Sequence, residues 1–484
     1  MNFKMTGRFL SQIIAIEAAF MVPALGISLG YAEWSSVWAF GSSMVIMLAI
    51  SGVLYALCRK AGKLFGAREG LVCVGFSWMV LSLLGALPFV FSGAIPNYID
   101  ALFETVSGFT TTGASVLSDV ESLPKGILYW RSFSHWLGGM GVLVFLLAIV
   151  PRGEKDSGFT MHLLRAESPG PDVGKLVPKM KTTAMILYVI YVVLTIINVI
   201  FLLCGGMPWL DSLCTAFGTA GTGGFGIYND SLTSCSPYIQ WVTTVFMLLF
   251  GVNFSCYFLL LLRQFKAVFK DEELRTYLAI VLVTTALIAF NVFSQIGNAA
   301  DTIRHAAFQV ASIITTTGYT TANYDLWPAF SKGILLMLML IGACAGSTGG
   351  GFKVARLLLV FKSLRRNIRQ VLNPKKVQII RNNENPVSET VIANTNAYLA
   401  AYVIIIVISY LLISLDGNSI GTNLSAVLCC FNNIGPGMEA VGPTCNFGQL
   451  SYFSKIVLSL DMLAGRLEIF PMLVLLSRST WKKR

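Results

Sequence analysis

The chain has 484 residues, 55% of them hydrophobic and only 12% charged, with a mean hydropathy of +0.70 and a formal net charge of +11. That much apolar surface has too few charges to shield it from water, so a soluble globular protein is excluded and the bilayer is the solvent. The positive charge, which in a soluble chain would suggest nucleic acid, is read instead through its placement along a membrane topology.

Apolar stretches of about 20 residues, the length that crosses the hydrocarbon core, follow one another at roughly 9–30, 36–57, 71–92, 130–150, 184–204, 239–262, 275–295, 332–360, 397–415 and 455–477. About ten crossings are expected. The first follows Lys4 and Arg8 and has the outline of a signal peptide, but the many later segments favour an inserted helix. Lys and Arg gather at 59–68, 152–181, 263–275, 353–384 and 478–484. Between these lie segments poor in Lys and Arg that carry Asp100, Asp119, Glu121, Asp211, Asp230, Asp301, Asp325 and Glu439. The positive-inside rule makes the basic set, and both termini, cytoplasmic. Ten cysteines occur without a CxxC pair or a histidine at metal-ligand spacing. Most read as small buried hydrophobes; Cys204, Cys214, Cys235 and Cys445 fall near the outer side, and no required disulfide is expected.

After the first two helices one unit recurs four times: apolar helix, short amphipathic segment, Gly/Thr loop, apolar helix. The short segments are Asp100 to Phe109, Asp211 to Thr219, Ile303 to Ile313 and Asn423 to Phe431, each too short to span. Behind them come Thr110-Thr111-Thr112-Gly113, Gly221-Thr222-Gly223-Gly224-Phe225, Thr315-Thr316-Thr317-Gly318-Tyr319 and Asn432-Asn433-Ile434-Gly435-Pro436-Gly437. Non-helical backbone at membrane depth is tolerated only where protein or a watery cavity receives its polar groups, so these loops face inward. A glycine closing each loop permits positive φ and lets successive carbonyls turn toward one axis. Four such loops make a ring of oxygens able to replace a monovalent cation's hydration shell, and the short helices aim their negative ends at it. Any one loop alone is equally an ordinary turn; four in register are not. The outer carboxylates either concentrate cations at the mouth or form a solvated face.

At these residues the chain resembles the Trk/Ktr/HKT superfamily of potassium transporters, most closely its bacterial TrkH type. The resemblance runs over essentially the whole length. It rests on Ser107-Gly108-Phe109-Thr110-Thr111-Thr112-Gly113-Ala114, on Gly223-Gly224-Phe225, on Thr315-Thr316-Thr317-Gly318-Tyr319-Thr320-Thr321 and on Asn432-Asn433-Ile434-Gly435-Pro436-Gly437. More specific still are the run from Gly342 to Lys353 (GACAGSTGGGFK) and the run from Met462 to Phe470 (MLAGRLEIF). What it implies is an all-α integral membrane protein: about ten transmembrane helices, four helix–pore loop–helix repeats around a pseudo-fourfold pore, plus an N-terminal helix pair. The expected units are 1–66 for that pair, then pore repeats at 67–160, 161–270, 271–384 and 385–484, the third holding an intramembrane gating loop at 342–353.

The resemblance places filter glycines at Gly113, Gly224, Gly318 and Gly435, with potassium-contacting carbonyls from Thr111, Thr112, Thr222, Gly223, Thr316, Thr317, Asn433 and Ile434. In the second loop Gly223 is as well placed as Gly224 to turn the chain, so that register stays open. Unequal repeats imply a ring less regular than one built from four copies of a single loop, with moderate selectivity over sodium. The resemblance also implies a homodimer with one pore per subunit. It adds a cytosolic RCK/KTN-type ring that binds adenine nucleotide or NAD.

The run Gly346, Ser347, Thr348, Gly349, Gly350, Gly351 interrupts the second helix of the third repeat, because each glycine costs about 1 kcal/mol against alanine in a helix. In the family this stretch blocks the pore, which carries the gating role to these six residues and to Lys353. Its G-x-x-x-x-G spacing also suggests a phosphate loop. That reading fails at Phe352, which stands at the lysine position, and at Val354, which offers no hydroxyl. Arg466 lies in the last apolar stretch, where a cation at the helix centre costs about 2.5–3.5 kcal/mol on insertion scales. It is either a positive barrier beneath the loops, the role the family gives it, or half of an ion pair with Asp461 or Glu468.

The longest polar stretches, 151–182 and 361–396, are too small for a regulatory domain, so control falls to a partner or to voltage. The run Lys362, Arg365, Arg366, Arg369, Lys375, Lys376 and Arg381 suits anionic lipid or a docked cytosolic ring. A nucleic-acid partner is not expected. The readings left open are potassium uptake at a bacterial cytoplasmic membrane, a transporter coupling potassium to protons or sodium, and a membrane enzyme. Coupling to protons finds only His135 near membrane depth, with His162 and His305 outside it. An enzyme finds no Ser/His/Asp set and no metal-ligand cluster.

Overall fold

The computed structural model describes residues 3–59, 67–139, 141, 180–375, 378–383 and 385–481. Most of the basic stretch 152–181, with His162, and also Lys376 and 482–484 lie outside the described residues. The architecture is helical throughout; the only strands among the described residues form a short antiparallel hairpin pairing Arg381–Asn382 with Asn385–Pro386.

The N-terminal pair consists of Phe3–Phe20, continued after a break at Met21 by Val22–Gly30, and Trp34–Cys58. Phe9, Ile13, Ile14 and Ala18 are buried, so the first apolar stretch belongs to the bundle. Four units follow. The first runs Ala67–Gly85 with Leu87–Phe91, then the pore helix Tyr98–Phe109, then Lys125–Gly139. The second runs Met180–Cys204, the pore helix Trp209–Gly221, and Pro237–Phe250 with Phe254–Leu261. In the third come Glu272–Ile296, the pore helix Ala299–Ile314, Ala329–Ile341 and Val354–Leu372. The fourth comprises Glu389–Ile413, the pore helix Ile420–Phe431, Tyr452–Arg466 and Phe470–Leu476.

The pore helices begin two to four residues earlier than their amphipathic pattern suggests, and in the first, third and fourth a polar residue upstream caps the helix. Asn97 accepts from the amides of Ile99 and Asp100, Asn298 from Ala300 and Ser419 from Thr422. Six described helices are long and apolar enough to cross a membrane, and the bent pair Pro237–Leu261 makes a seventh. The remaining three of the ten crossings are Lys125–Gly139, which leads out of the described residues, and two helices interrupted at mid-course. Burial is inverted relative to a soluble protein: Phe290 is 89% exposed, whereas Thr110, Thr111, Thr112, Thr315, Thr316, Thr317, Asn432 and Asn433 are all buried.

Each pore helix packs between the two long helices of its own unit and also touches the second helix of the unit before it. Thus Lys125–Gly139 meets Trp209–Gly221, Pro237–Phe250 meets Ala299–Ile314, and Ala329–Ile341 meets Ile420–Phe431. Tyr452–Arg466 closes the circle on Tyr98–Phe109. The four units therefore form a ring around one axis, with the N-terminal pair packed outside the first.

Candidate functional site

All four pore helices end in the same turn. Thr111, Thr222, Thr316 and Asn433 take the left-handed conformation with φ of 56°, 54°, 58° and 55°. In each case the amide of that residue donates to the carbonyl three back, at 3.1–3.2 Å, and the next amide donates to the carbonyl five back, at 2.8–2.9 Å. This is a Schellman-type ending, usually built on glycine. A left-handed non-glycine residue costs of order 1–3 kcal/mol, and the same strain recurs in all four loops. Two residues on stand Gly113, Gly224, Gly318 and Gly435, with φ of 83°, 73°, 85° and 99°. Equivalence is thereby fixed: Gly224, not Gly223, matches the other three.

These glycines also join the loops to one another. A Cβ at Gly113 would collide with the carbonyl oxygen of Gly223, one at Gly224 with that of Thr317, and one at Gly318 with that of Ile434. At Gly435 a Cβ would stand 2.7 Å from the carbonyl oxygen of Thr112. Each loop thus seats its glycine against the carbonyl just before the next loop's glycine, in the cyclic order one, two, three, four, one. Four equivalent carbonyls thus recur around the ring, one per loop, and oxygen acceptors of this kind suit a cation and not an anion.

Side chains behind the ring hold it in place. His135 Nδ1 lies 2.8 Å from the carbonyl of Gly108, and its Nε2 accepts from the amide of Phe225 at 3.2 Å, which assigns the proton to Nδ1. The ring of His135 fills the space a Cβ at Gly223 would need. This explains why the second loop lacks the threonine triplet of loops one and three. Arg131, which stacks on Phe225, pairs with the buried Glu104 at 2.6 Å and donates to the carbonyl of Gly226 at 2.7 Å. Tyr319 reaches from loop three to the carbonyl of Thr215, Tyr324 to that of Gly437, and the Asn433 amide to Thr112 Oγ1 at 2.9 Å. In loop one the Thr110 and Thr112 hydroxyls bond at 2.8 Å, and in loop three Thr315 and Thr317 repeat this at 2.7 Å.

Beneath the pore loops the second helices of units two, three and four break. The second bends by 89° between Phe250 and Phe254; the third opens into the loop 342–353; the fourth stops at Arg466 and resumes at Phe470. Continuous helices were expected over 239–262 and 455–477. The first breaks at Gly251-Val252-Asn253, where Asn253 caps the new helix. In the fourth, Glu468 and Ile469 turn left-handed at φ 56° and 65°. Arg466 therefore stands at a helix end, at the point where the last crossing is interrupted.

The loop 342–353 presses on the inner side of the ring. Gly350 donates its amide to Thr316 Oγ1 at 2.6 Å and lies against the carbonyl of Asn432, while Gly349 lies against that of Thr315. The neighbouring bend binds it too, through Phe254 N–H to Gly346 O at 3.0 Å and Cys344 N–H to Gly251 O at 3.1 Å. Ser347 and Thr348 donate their hydroxyls to the carbonyls of Cys344 and Phe250. Lys353, at φ 80° and buried, donates to the carbonyl of Gly349. Arg466 donates to Thr348 O at 2.9 Å, to Gly139 O at 2.7 Å and to Gly138 O, joining the fourth unit to the loop and to the first unit's helix end. Of the two carboxylates weighed as its partners, Asp461 accepts from Ser409 and Glu468 pairs with Arg356. A helix precedes the loop, and Phe352 packs on the Tyr398 and Tyr402 rings, so no phosphate cradle forms.

On the face opposite that loop the four glycines floor a cavity of about 140 Å³ that is lined further by Ser115, Asn229 and Thr444. Among the described residues no carboxylate lines it. The acidic groups brace the outer loops instead: Asp100 pairs with Lys455, Asp119 and Glu121 hold Asn229, and Asp325 accepts from Glu439 N–H. All ten cysteines are free thiols, six of them buried.

Four inward loops in a ring of membrane helices, closed beneath by a further loop, define a protein that passes small ions across a bilayer. The chain belongs to the TrkH family of cation transport proteins, whose profile matches residues 38–483. It is 35% identical to the Trk system potassium uptake protein TrkH of Escherichia coli K12, each covered in full, and 32% identical to TrkG of that organism, with 96% of this chain and 95% of TrkG covered. The crystal structure of the potassium transporter TrkH from Vibrio parahaemolyticus superposes with a TM-score of 0.88 at 31% identity, covering both chains completely. The family makes the chain a multi-pass transport protein and not a membrane enzyme.

Proposed function

We propose that this chain takes up potassium through a filter formed by the backbone of Thr111–Gly113, Thr222–Gly224, Thr316–Gly318 and Asn433–Gly435. The observation that carries this reading is the cyclic seating of each filter glycine on the next loop's carbonyl, which sets the size of the opening from all four sides. Support comes from the relatives, named as potassium uptake proteins. The test is ⁸⁶Rb⁺ uptake by purified protein in vesicles. Potassium should compete at lower concentration than sodium; equal competition, or no uptake, overturns the reading.

Passage is decided beneath the filter, by the loop Gly346–Gly351 with Lys353 and by Arg466. A fixed positive charge bonded across the pathway repels an incoming cation. Arg466→Ala should raise flux, and so should deletion of 346–351; flux at or below wild type in both removes this barrier. Proton coupling through His135 is disfavoured, since both ring nitrogens are already bonded to backbone groups.

The repeat units proposed above, 1–66, 67–160, 161–270, 271–384 and 385–484, follow the recurrence of pore helices. The chain is placed in a bacterial cytoplasmic membrane, with both termini and the basic segments inside. Its assembly is a homodimer served by a nucleotide- or NAD-binding RCK/KTN ring on the cytosolic face. The helix Val354–Leu372 sets exposed Leu364, Ile368, Val371 and Leu372 beside Arg365 and Arg369, which suits anionic lipid. Loss of ring pull-down on neutralising Arg365, Arg366 and Arg369 is the outcome expected for docking there; full retention overturns it.

A further inference from the structure

The loop 342–353 has a further attachment, apart from those on the pore loops, on the second unit's bend and on Arg466. Glu273 lies in the first turn of Glu272–Ile296 and is buried at 8% exposure. A single oxygen, Oε1, accepts the amide of Ala345 at 2.6 Å and that of Ala355 at 3.1 Å. Ala345 is on the way into the loop and Ala355 opens the helix that leaves it. Both ends are thus pinned to one atom, next to the neck where Lys353 N–H donates to Ile341 O at 2.8 Å and Val354 N–H to Ala343 O at 3.1 Å.

The helix carrying Glu273 is itself tethered. One turn on, Tyr277 donates to the carbonyl of Leu248 at 3.2 Å, just before the bend of the second unit. At the helix start Asp271 caps the Leu274 amide and accepts from Asn383 Nδ2 at 2.7 Å, while Glu272 N–H donates to Asn383 Oδ1 at 2.9 Å. Asn383 sits at the turn of the cytoplasmic hairpin. Glu272 pairs with Lys362, whose Nζ also donates to Arg381 O at 2.8 Å. A carboxylate is suited to this place because buried amides need an acceptor and a charged acceptor makes the stronger bond.

We propose that Glu273 is a positioning residue that clasps both ends of the intramembrane loop, so that the loop leaves the pathway only when this clasp opens or its helix moves. The proposal rests on the reading of that loop as the barrier. Its consequence is regulatory: movement of the cytoplasmic hairpin reaches the barrier through the start of Glu272–Ile296.

The test reads two quantities on reconstituted full-length protein, amide exchange across 343–356 and ⁸⁶Rb⁺ flux, for wild type, Glu273→Ala, Glu273→Gln and Arg466→Ala. Glu273→Ala should raise exchange about tenfold or more and raise flux. Glu273→Gln keeps one acceptor oxygen and should stay within about twofold on both counts. Wild-type exchange in Glu273→Ala overturns the clasp, as does a Gln variant indistinguishable from Ala. Raised exchange with flux unchanged in Glu273→Ala and Arg466→Ala alike upholds the clasp and defeats the barrier reading instead. Should the Ala variant not elute as wild type, Glu273→Met fills the same volume without an acceptor and carries the same expectation.

Discussion

A glycine at positive φ that also touches a neighbour's carbonyl excludes a side chain on two independent grounds. At Gly318 both hold, since φ is 85° and a Cβ would meet the carbonyl of Ile434 and Pro436 Cδ. Gly318→Ala should therefore lower initial ⁸⁶Rb⁺ uptake by about tenfold or more while the purified protein keeps its elution profile. Arg131 presents a different kind of dependence. Removing it strands Glu104, fully buried, beside the Ser115 hydroxyl and the Val116 amide. Arg131→Met should cost about 3–5 kcal/mol, read as a lower unfolding midpoint in detergent. Neither Arg131 nor Glu104 announces this in sequence, because the partners are 27 residues apart on different helices and each alone resembles an interfacial charge. In sequence His135 is a lone histidine near membrane depth. Its contact with the second loop accounts for a Gly-Gly pair that pattern reading left in two registers.

At the scale of elements, what sequence reveals is where backbone cannot be helical. Threonine triplets, the Asn-Asn-Ile-Gly-Pro turn and the run of glycines at 346–351 all declare themselves, because those residues at membrane depth have no reason to be there otherwise. The helix breaks at 251–253 and 467–469 were missed for opposite reasons. Gly251 and Asn253 carry a weak signal inside a strongly apolar stretch. Glu468 and Ile469 carry none, since a β-branched residue at positive φ is held there by tertiary packing, not by preference: Ile469 is wholly buried and its amide donates to Ala464 O at 2.7 Å. The hairpin 381–386 was likewise invisible, being two residues per strand. It nonetheless ties two helices together. Asn383→Ala, which removes both of its bonds to Asp271 and Glu272, should lower the midpoint of thermal unfolding by an amount equivalent to about 1–2 kcal/mol, and a midpoint equal to wild type would dismiss the tie.

Taken whole, the molecule ties its acidic surface groups into the connecting loops and keeps them out of the cavity above the four glycines. The outer carboxylates suit either a cation funnel or a solvated face; among the described residues, Arg131 is the one charged group lining the cavity above the four glycines, and that guanidinium is paired with Glu104. Neutralising Asp230 and Asp301, which serve Ser234 and Arg304, should leave initial uptake within about twofold even at low ionic strength, where steering is strongest. A larger fall would restore the funnel. The seating of each glycine on the next loop's carbonyl has one more consequence. In a pore assembled from four identical chains, any substitution enters the opening four times at once. Here one polypeptide supplies all four sides, so a single codon alters one quadrant while the other three keep their geometry. On the proposed filter reading, ion preference then shifts in small steps under selection, each quadrant adjusted separately, with His135 behind the second and Asn433 within the fourth already marking how far two of them have diverged.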